Sequence, residues 1–122
     1  MIASEKARKA AEKLYDGLCT VTEREKYIRE NRSTGFREVI TLENEPCRLS
    51  HKTVTNNNIL DNAASAVAQI TELIISPDVT IRPGSKISVT QNDRTVDYKA
   101  SGEPAYYSTH QEIVLELFEE WA

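Results

Sequence analysis

Glycine is scarce in this chain, with four in 122 residues and no run of them, so a phosphate-cradling loop of the P-loop or dinucleotide-binding kind is excluded. No G-x-S-x-G elbow occurs, which removes the strand-turn-helix nucleophile of α/β-hydrolases. Histidine and cysteine number two each: His51, His110, Cys19 and Cys47. None stands at zinc-ligand spacing, so neither a metal nor another cofactor is expected. His110, beside Gln111 and Glu112, reads as a hydrogen-bonded strand residue rather than a proton shuttle. No apolar run reaches the eighteen residues of a membrane span. Ile2-Ala3-Ser4-Glu5-Lys6 does not open an apolar signal-peptide core, so no secretion is expected and the cysteines read as buried thiols rather than a disulfide. Carboxylate pairs such as Glu43/Glu45 and Glu119/Glu120 are inevitable among 19 acidic residues, and such a pair is catalytic only when held across a substrate. No catalytic residue emerges, and the chain is expected not to be an enzyme.

What is present fits one small domain, residues 1–122, with 39% hydrophobic and 28% charged residues. Fifteen basic side chains face 19 acidic ones, a net charge of −4, which argues against binding nucleic acid by phosphate neutralisation. The charge is uneven. Residues 1–52 hold 11 basic and 9 acidic groups, residues 53–122 hold 4 and 10, and the last twenty residues hold five glutamates and no lysine or arginine. An acidic end of this kind is a solvated face, a surface for a basic partner, or the lining of a duct past which DNA slides without sticking.

Residues 3–13 predict a helix with Ser4 as a cap and an alanine-rich face of Ala7, Ala10, Ala11 and Leu14. Residues 14–52 read as the first strands. Leu18, Thr20 and Thr22 share one face opposite Cys19 and Val21, a polar turn covers 29–35, and Phe36 to Leu42 is dense in β formers. Glu43-Asn44-Glu45-Pro46 reads as a hairpin turn before a return strand, Cys47 to Ser50. Residues 53–66 carry four asparagines and few large apolar groups and predict a long projecting loop, with a short helix near 61–68. The remaining strands lie in 67–122. They are Val67 to Ser76, a short Val79-Thr80-Ile81, Lys86 to Thr90 after a Pro83-Gly84 turn, and Arg94 to Tyr98 beyond an Asn92-Asp93 turn. Ser101-Gly102-Glu103-Pro104 reads as another turn. Residues 112–121 fit both a strand and a helical face, and the short strands before them favour a closing barrel strand. The fold class expected is mainly β, a small β-barrel with a short N-terminal helix and a long polar loop. Tyr98, Tyr106 and Tyr107 cluster, and adjacent tyrosines on a strand face opposite sides, so one of the last two is expected at a surface that a partner covers.

The run Ile81-Arg-Pro-Gly-Ser-Lys-Ile-Ser-Val-Thr-Gln-Asn-Asp-Arg-Thr-Val-Asp-Tyr98, followed by Ser101-Gly-Glu-Pro-Ala-Tyr-Tyr-Ser-Thr-His-Gln-Glu-Ile-Val-Leu115, resembles the head completion proteins of siphophages and prophages of Gram-positive bacteria. These are labelled minor capsid proteins and include the stoppers of head-to-tail connectors. Pro46-Cys-Arg-Leu-Ser50 is similar to the family's central strand, and the resemblance spans roughly residues 14–118. It implies a β-barrel subunit of a homo-oligomeric ring, a dodecamer by expectation and a monomer when free. The ring would sit in the virion neck after assembly in the host cytoplasm. Its implied partners are the portal and adaptor above, a tail completion protein below, and packaged double-stranded DNA that is retained or passed without sequence-specific contact. By position, the family's channel loop falls on Asn56, Asn57, Asn58, Ile59, Leu60, Asp61 and Asn62. Tyr98, Tyr106 and Tyr107 are the expected interface residues. Two alternatives stay open: a tail completion or terminator ring protein, and a β-barrel module for single-stranded nucleic acid, which would need a basic groove with stacking aromatics.

Overall fold

The computed structural model describes the backbone of residues 2–56 and 66–121, and the side chains of residues 6–53 and 69–121. One helix and six strands follow in chain order: α1 (Ile2–Glu12), β1 (Gly17–Ile28), β2 (Thr34–Asn56), β3 (Ala66–Ile75), β4 (Lys86–Gln91), β5 (Arg94–Tyr106) and β6 (Gln111–Leu117). Every pairing is antiparallel, and the strands close in the order β1-β2-β3-β6-β5-β4. The expected mainly-β barrel with one short helix is the fold found. β6 closes it, so Gln111–Leu117 is strand and the helical alternative for this stretch is discarded.

Side-chain alternation explains the closure. Each strand sends every second residue inward: Cys19 and Val21 from β1, Cys47 from β2, Leu73 and Ile75 from β3, Ile87 and Val89 from β4, Tyr98 and Ala100 from β5, and Ile113 and Leu115 from β6. Closing a ring lets all six inner faces share one core and removes free sheet edges along the wall. Cys19 and Cys47 are unpaired, buried thiols, as expected. The Cys47 sulfur beside it and burial both push the Cys19 thiol well above its ordinary value, so it packs as a neutral apolar group.

Two expected turns are bulges instead. Glu43 to Pro46 lie inside the continuous 23-residue β2. Gly17 pairs Cys47, Val21 pairs Leu42 and Thr22 pairs Ile40, with the register slipping twice as extra β2 residues are accommodated. Asn44 takes the left-handed conformation there, φ 50°. Leu42 and Cys47 both reach the core from one wall only if the strand runs straight through, and that burial overrides the turn-like composition. Ser101 to Pro104 likewise sit within β5. The register against β6 shifts between Ser101 and Ala105, and Gly102 (φ 69°) supplies the left-handed residue. Pro104 lies within that shift, and bulges are among the few places in a sheet that accept a residue without an N–H.

Three further expectations change. Val79-Thr80-Ile81 forms no strand, although Ile81 is buried; fully buried Gln111 holds this segment by donating from Nε2 to the carbonyls of Ser76 (2.8 Å) and Val79 (2.6 Å). α1 begins at Ile2, which places Ser4 inside the helix rather than at its cap. Of the predicted 53–66 loop, 53–56 belong to β2 and Ala66 opens β3, so 66–68 are strand rather than helix; 57–65 lie outside the described residues. By contrast, Asn92 and Asp93, φ 54° and 61°, make the tight β4–β5 turn that was expected.

Candidate functional site

β2 is longer than the barrel is tall, and its surplus at both ends builds two hairpin arms. β4 covers β1 only from Leu18 to Thr22. Beyond that point Glu23 to Ile28 pair solely with Val39 to Thr34, a two-stranded ribbon leaving the wall. At the other end β6 covers β3 only from Thr71 to Ile75, and Lys52 to Asn56 pair solely with Ile70 to Ala66. Cys47 is the pivot, pairing with Gly17 of β1 and with Ile75 of β3. The bulges just before it bend β2, which allows one strand to serve the wall and both arms.

The β1–β2 arm is organised by its own side chains. Tyr27 lies over its cross-strand partner Gly35, where a Cβ would come within 2.8 Å of the ring. Arg37 and Arg29 flank that ring, their guanidinium carbons 5.3 and 5.8 Å from its centroid, and Arg37 also pairs with Glu25. On the opposite face the Arg24 guanidinium stacks 3.9 Å from the Phe36 centroid. At the tip Asn31 Oδ1 accepts from the Ser33 N–H (3.1 Å) and hydroxyl (2.6 Å), and Arg29 donates to the Thr34 carbonyl (3.1 Å). Even so, the arm leaves Ile28 76% and Phe36 53% exposed.

The outer wall of β6 and the segment before it carry a second group. Tyr107 stacks on His110, with centroids 4.9 Å apart. His110 Nε2 lies 2.9 Å from Glu112 Oε2, and its Nδ1 lies 2.9 Å from the Thr109 hydroxyl. His110 is thus hydrogen-bonded, as its sequence context suggested, but it lies just before β6 rather than in a strand. That contact, more than any other, holds the Glu112 carboxyl below its ordinary value, and Lys52 and Glu72 contribute in the same direction against partial burial. Glu72 is buried and its carboxylate meets Lys52 Nζ at 2.7 Å, which raises the lysine. Val114 stands exposed beside this network.

The expected interface tyrosines separate. Tyr106 and Tyr107 are both exposed, at the end of β5 and just past it. Tyr98 is a core residue and leaves the set: its place opposite Leu117 and Ile87 turns the ring inward. It is therefore also withdrawn from any stacking platform for nucleic acid. Of the expected channel residues, Asn56 is the last residue of β2, at the end of the second arm, and Asn57, Asn58, Ile59, Leu60, Asp61 and Asn62 lie outside the described residues. The arms themselves were not legible in the sequence, because they depend on where β4 and β6 stop.

One end of the barrel opens into a cleft of about 880 Å³, with Tyr98 and Leu115 among its lining residues and Glu119, Glu120 and Trp121 of the chain after β6 beside it. His51 lines it as well, its Nδ1 3.0 Å from the Thr71 hydroxyl. Among the described residues, no three His, Cys, Asp or Glu side chains gather as metal ligands, and no helix is long and apolar enough to cross a membrane.

No family model and no curated protein matches the chain. Among solved structures it is similar to the phage-like element PBSX protein xkdH of Bacillus subtilis, with a TM-score of 0.51 and 12% identity over 82% of this chain and 91% of that one. At that identity the likeness is one of fold.

Proposed function

We propose that this protein is a structural component of a phage or prophage particle. It is a head completion protein that assembles as a ring in the head–tail neck, retains the packaged genome and offers the tail its docking surface. The observation that supports this reading is the shared fold with a protein of a phage-like element over 82% of this chain and 91% of that one. The two arms fit the role. A two-stranded ribbon is marginal in water alone, and arms that carry exposed Ile28 and Phe36 gain stability when a neighbour covers them. In this reading the portal and adaptor lie above the ring, a tail completion protein lies below, and the β2–β3 arm points toward the channel. The net charge of −4 lets DNA pass without adhesion.

Deleting the coding sequence from an inducible prophage that carries it tests the proposal. Electron microscopy should show heads without tails and an excess of unpackaged or lost DNA, restored by the protein supplied in trans. Intact tailed particles without it, or its absence from the neck of purified particles, overturn the reading. Filled heads beside tails of uncontrolled length assign it to tail termination instead.

A further inference from the structure

We propose that the β1–β2 arm is hinged at its root and latched by the segment after β6, with Trp121 as the catch for Phe36 and Arg24. The device lies within one chain and stands or falls independently of the ring-forming reading above.

The hinge is a bulge. The arm leaves the wall where β4 stops covering β1, at Thr22. Thr22 pairs with Ile40 and Val21 with Leu42, so Thr41 is an extra residue at that root. A bulge interrupts the ladder and bends the strand, which makes it the point about which the ribbon swings. Beyond it the register is unbroken from Thr22 to Ile28. The Tyr27 ring over Gly35 and the Arg37–Glu25 pair stiffen that stretch. The arm therefore moves as one piece about its root.

The latch is the chain from Phe118 to Trp121. The Phe118 N–H donates to the Asp97 carbonyl (3.0 Å), Lys86 Nζ lies 5.1 Å from the Phe118 ring centroid, and Trp121 meets that ring edge-on at 5.1 Å. These contacts hold Trp121 in front of the arm. It faces Phe36 and Arg24 across two narrow clefts of about 320 and 220 Å³. Phe36 is 53% exposed and already carries the Arg24 guanidinium 3.9 Å from its centroid. Closing the clefts gathers two aromatic rings around one cation and takes apolar surface out of water. Charge acts in the same direction. Arg24, Lys26 and Arg82 line the larger cleft against one carboxylate, Glu23, while Arg37 and Glu38 offset each other at the smaller. Exposed Glu119 and Glu120 precede Trp121 on the latch.

A latched arm withholds its apolar face. Any protein that covers Phe36 has to replace Trp121 there, so it binds the released arm and draws the equilibrium toward it.

Distances between spin labels on the isolated chain test the device. Glu30→Cys at the exposed tip of the arm and Arg94→Cys on the barrel supply the labelling sites, and Cys19 and Cys47 are buried. Pulsed electron paramagnetic resonance should give one narrow distance distribution. Trp121→Ala should broaden it at least two-fold, Phe36→Ala should do the same, and the two changes together should add nothing to either alone, because they break one contact. Trp121→Phe should keep it narrow. Trp121 is the single tryptophan of the chain, so Phe36→Ala should also shift the protein's tryptophan emission to longer wavelength, whereas Ile28→Ala, outside the clefts, should not. A distribution already broad in the parent, one that ignores Trp121→Ala, or additive broadening overturns the latch. Broadening accompanied by loss of the cooperative unfolding transition also overturns it, since Trp121 would then serve the fold. None of these readouts needs a second copy, so each failure leaves the ring-forming reading standing.

Discussion

Gln111 has no access to solvent, yet its side chain is polar, and the reason lies in a segment without secondary structure. Its amide donates to the carbonyls of Ser76 and Val79, two acceptors that the barrel buries and that no strand partner reaches. Replacing it with Leu keeps the volume and removes the side-chain donor of the Val79 carbonyl, while the Ser76 carbonyl keeps the Val79 N–H at 3.4 Å; a buried unsatisfied group costs about 1–3 kcal/mol. The expected outcome for Gln111→Leu is a loss of roughly 1–3 kcal/mol in urea unfolding, with an unchanged m-value. A second residue-scale effect concerns pH. His110 holds the Glu112 carboxyl below its ordinary value, so the folded state favours the carboxylate. Its contribution is complete above the unfolded value of about 4.3 and drains away as pH falls through the lower folded value. Glu112→Gln should therefore flatten the acid limb of a stability–pH curve, and equal acid slopes in the two proteins would contradict the assignment. The chemistry of both residues was visible in the sequence only in part. His110 beside Glu112 announced a hydrogen bond, but nothing near Gln111 in the chain pointed to acceptors 35 and 32 positions away.

At the scale of elements, left-handed residues decide where strands turn and where they merely bend. Asn92 and Asp93 both have positive φ, which is the requirement of the two-residue turn that joins β4 to β5. Glycine meets that requirement without a Cβ clash, so Asp93→Gly should raise stability by about 0.5–1 kcal/mol, read as a higher midpoint in thermal or urea unfolding. Asn44 and Gly102 use the same conformation inside β2 and β5, where it makes bulges. Composition cannot separate the two outcomes. Glu-Asn-Glu-Pro and Ser-Gly-Glu-Pro carry the residues of a turn, and the flanking apolar positions decide whether the chain reverses. α1 is held to the barrel by Arg8, whose guanidinium reaches the Ser76 hydroxyl (2.7 Å) and Asp78. Eleven residues are too few for a stable isolated helix. In hydrogen exchange, Arg8→Ala should remove protection from α1 and leave the barrel amides unchanged. The exposed Ala7, Ala10 and Leu14 agree with a helix that lies on the body without entering its core.

At the scale of the whole molecule the barrel and its arms divide the work. Six inner faces meet in one core, and among the described residues no arm residue belongs to it. Replacing residues 25–37 with Asn-Gly should therefore leave a folded barrel, judged by a cooperative unfolding transition. Loss of the barrel together with the arm would show that the ribbon is part of the fold.

Alternation of apolar and polar residues along β1, β3, β4 and β6, the Asn92-Asp93 turn and the buried cysteines could be read from the chain, because period-two burial and local turn chemistry act on neighbours in sequence. The path of β2, the inward turn of Tyr98, the anchoring of the 76–85 segment by Gln111 and the two arms could not. Each depends on which strand lies alongside and where that strand ends. A bulge differs from a turn, and an arm from a wall, only by the pairing available across the sheet, and that pairing exists only once the barrel has closed.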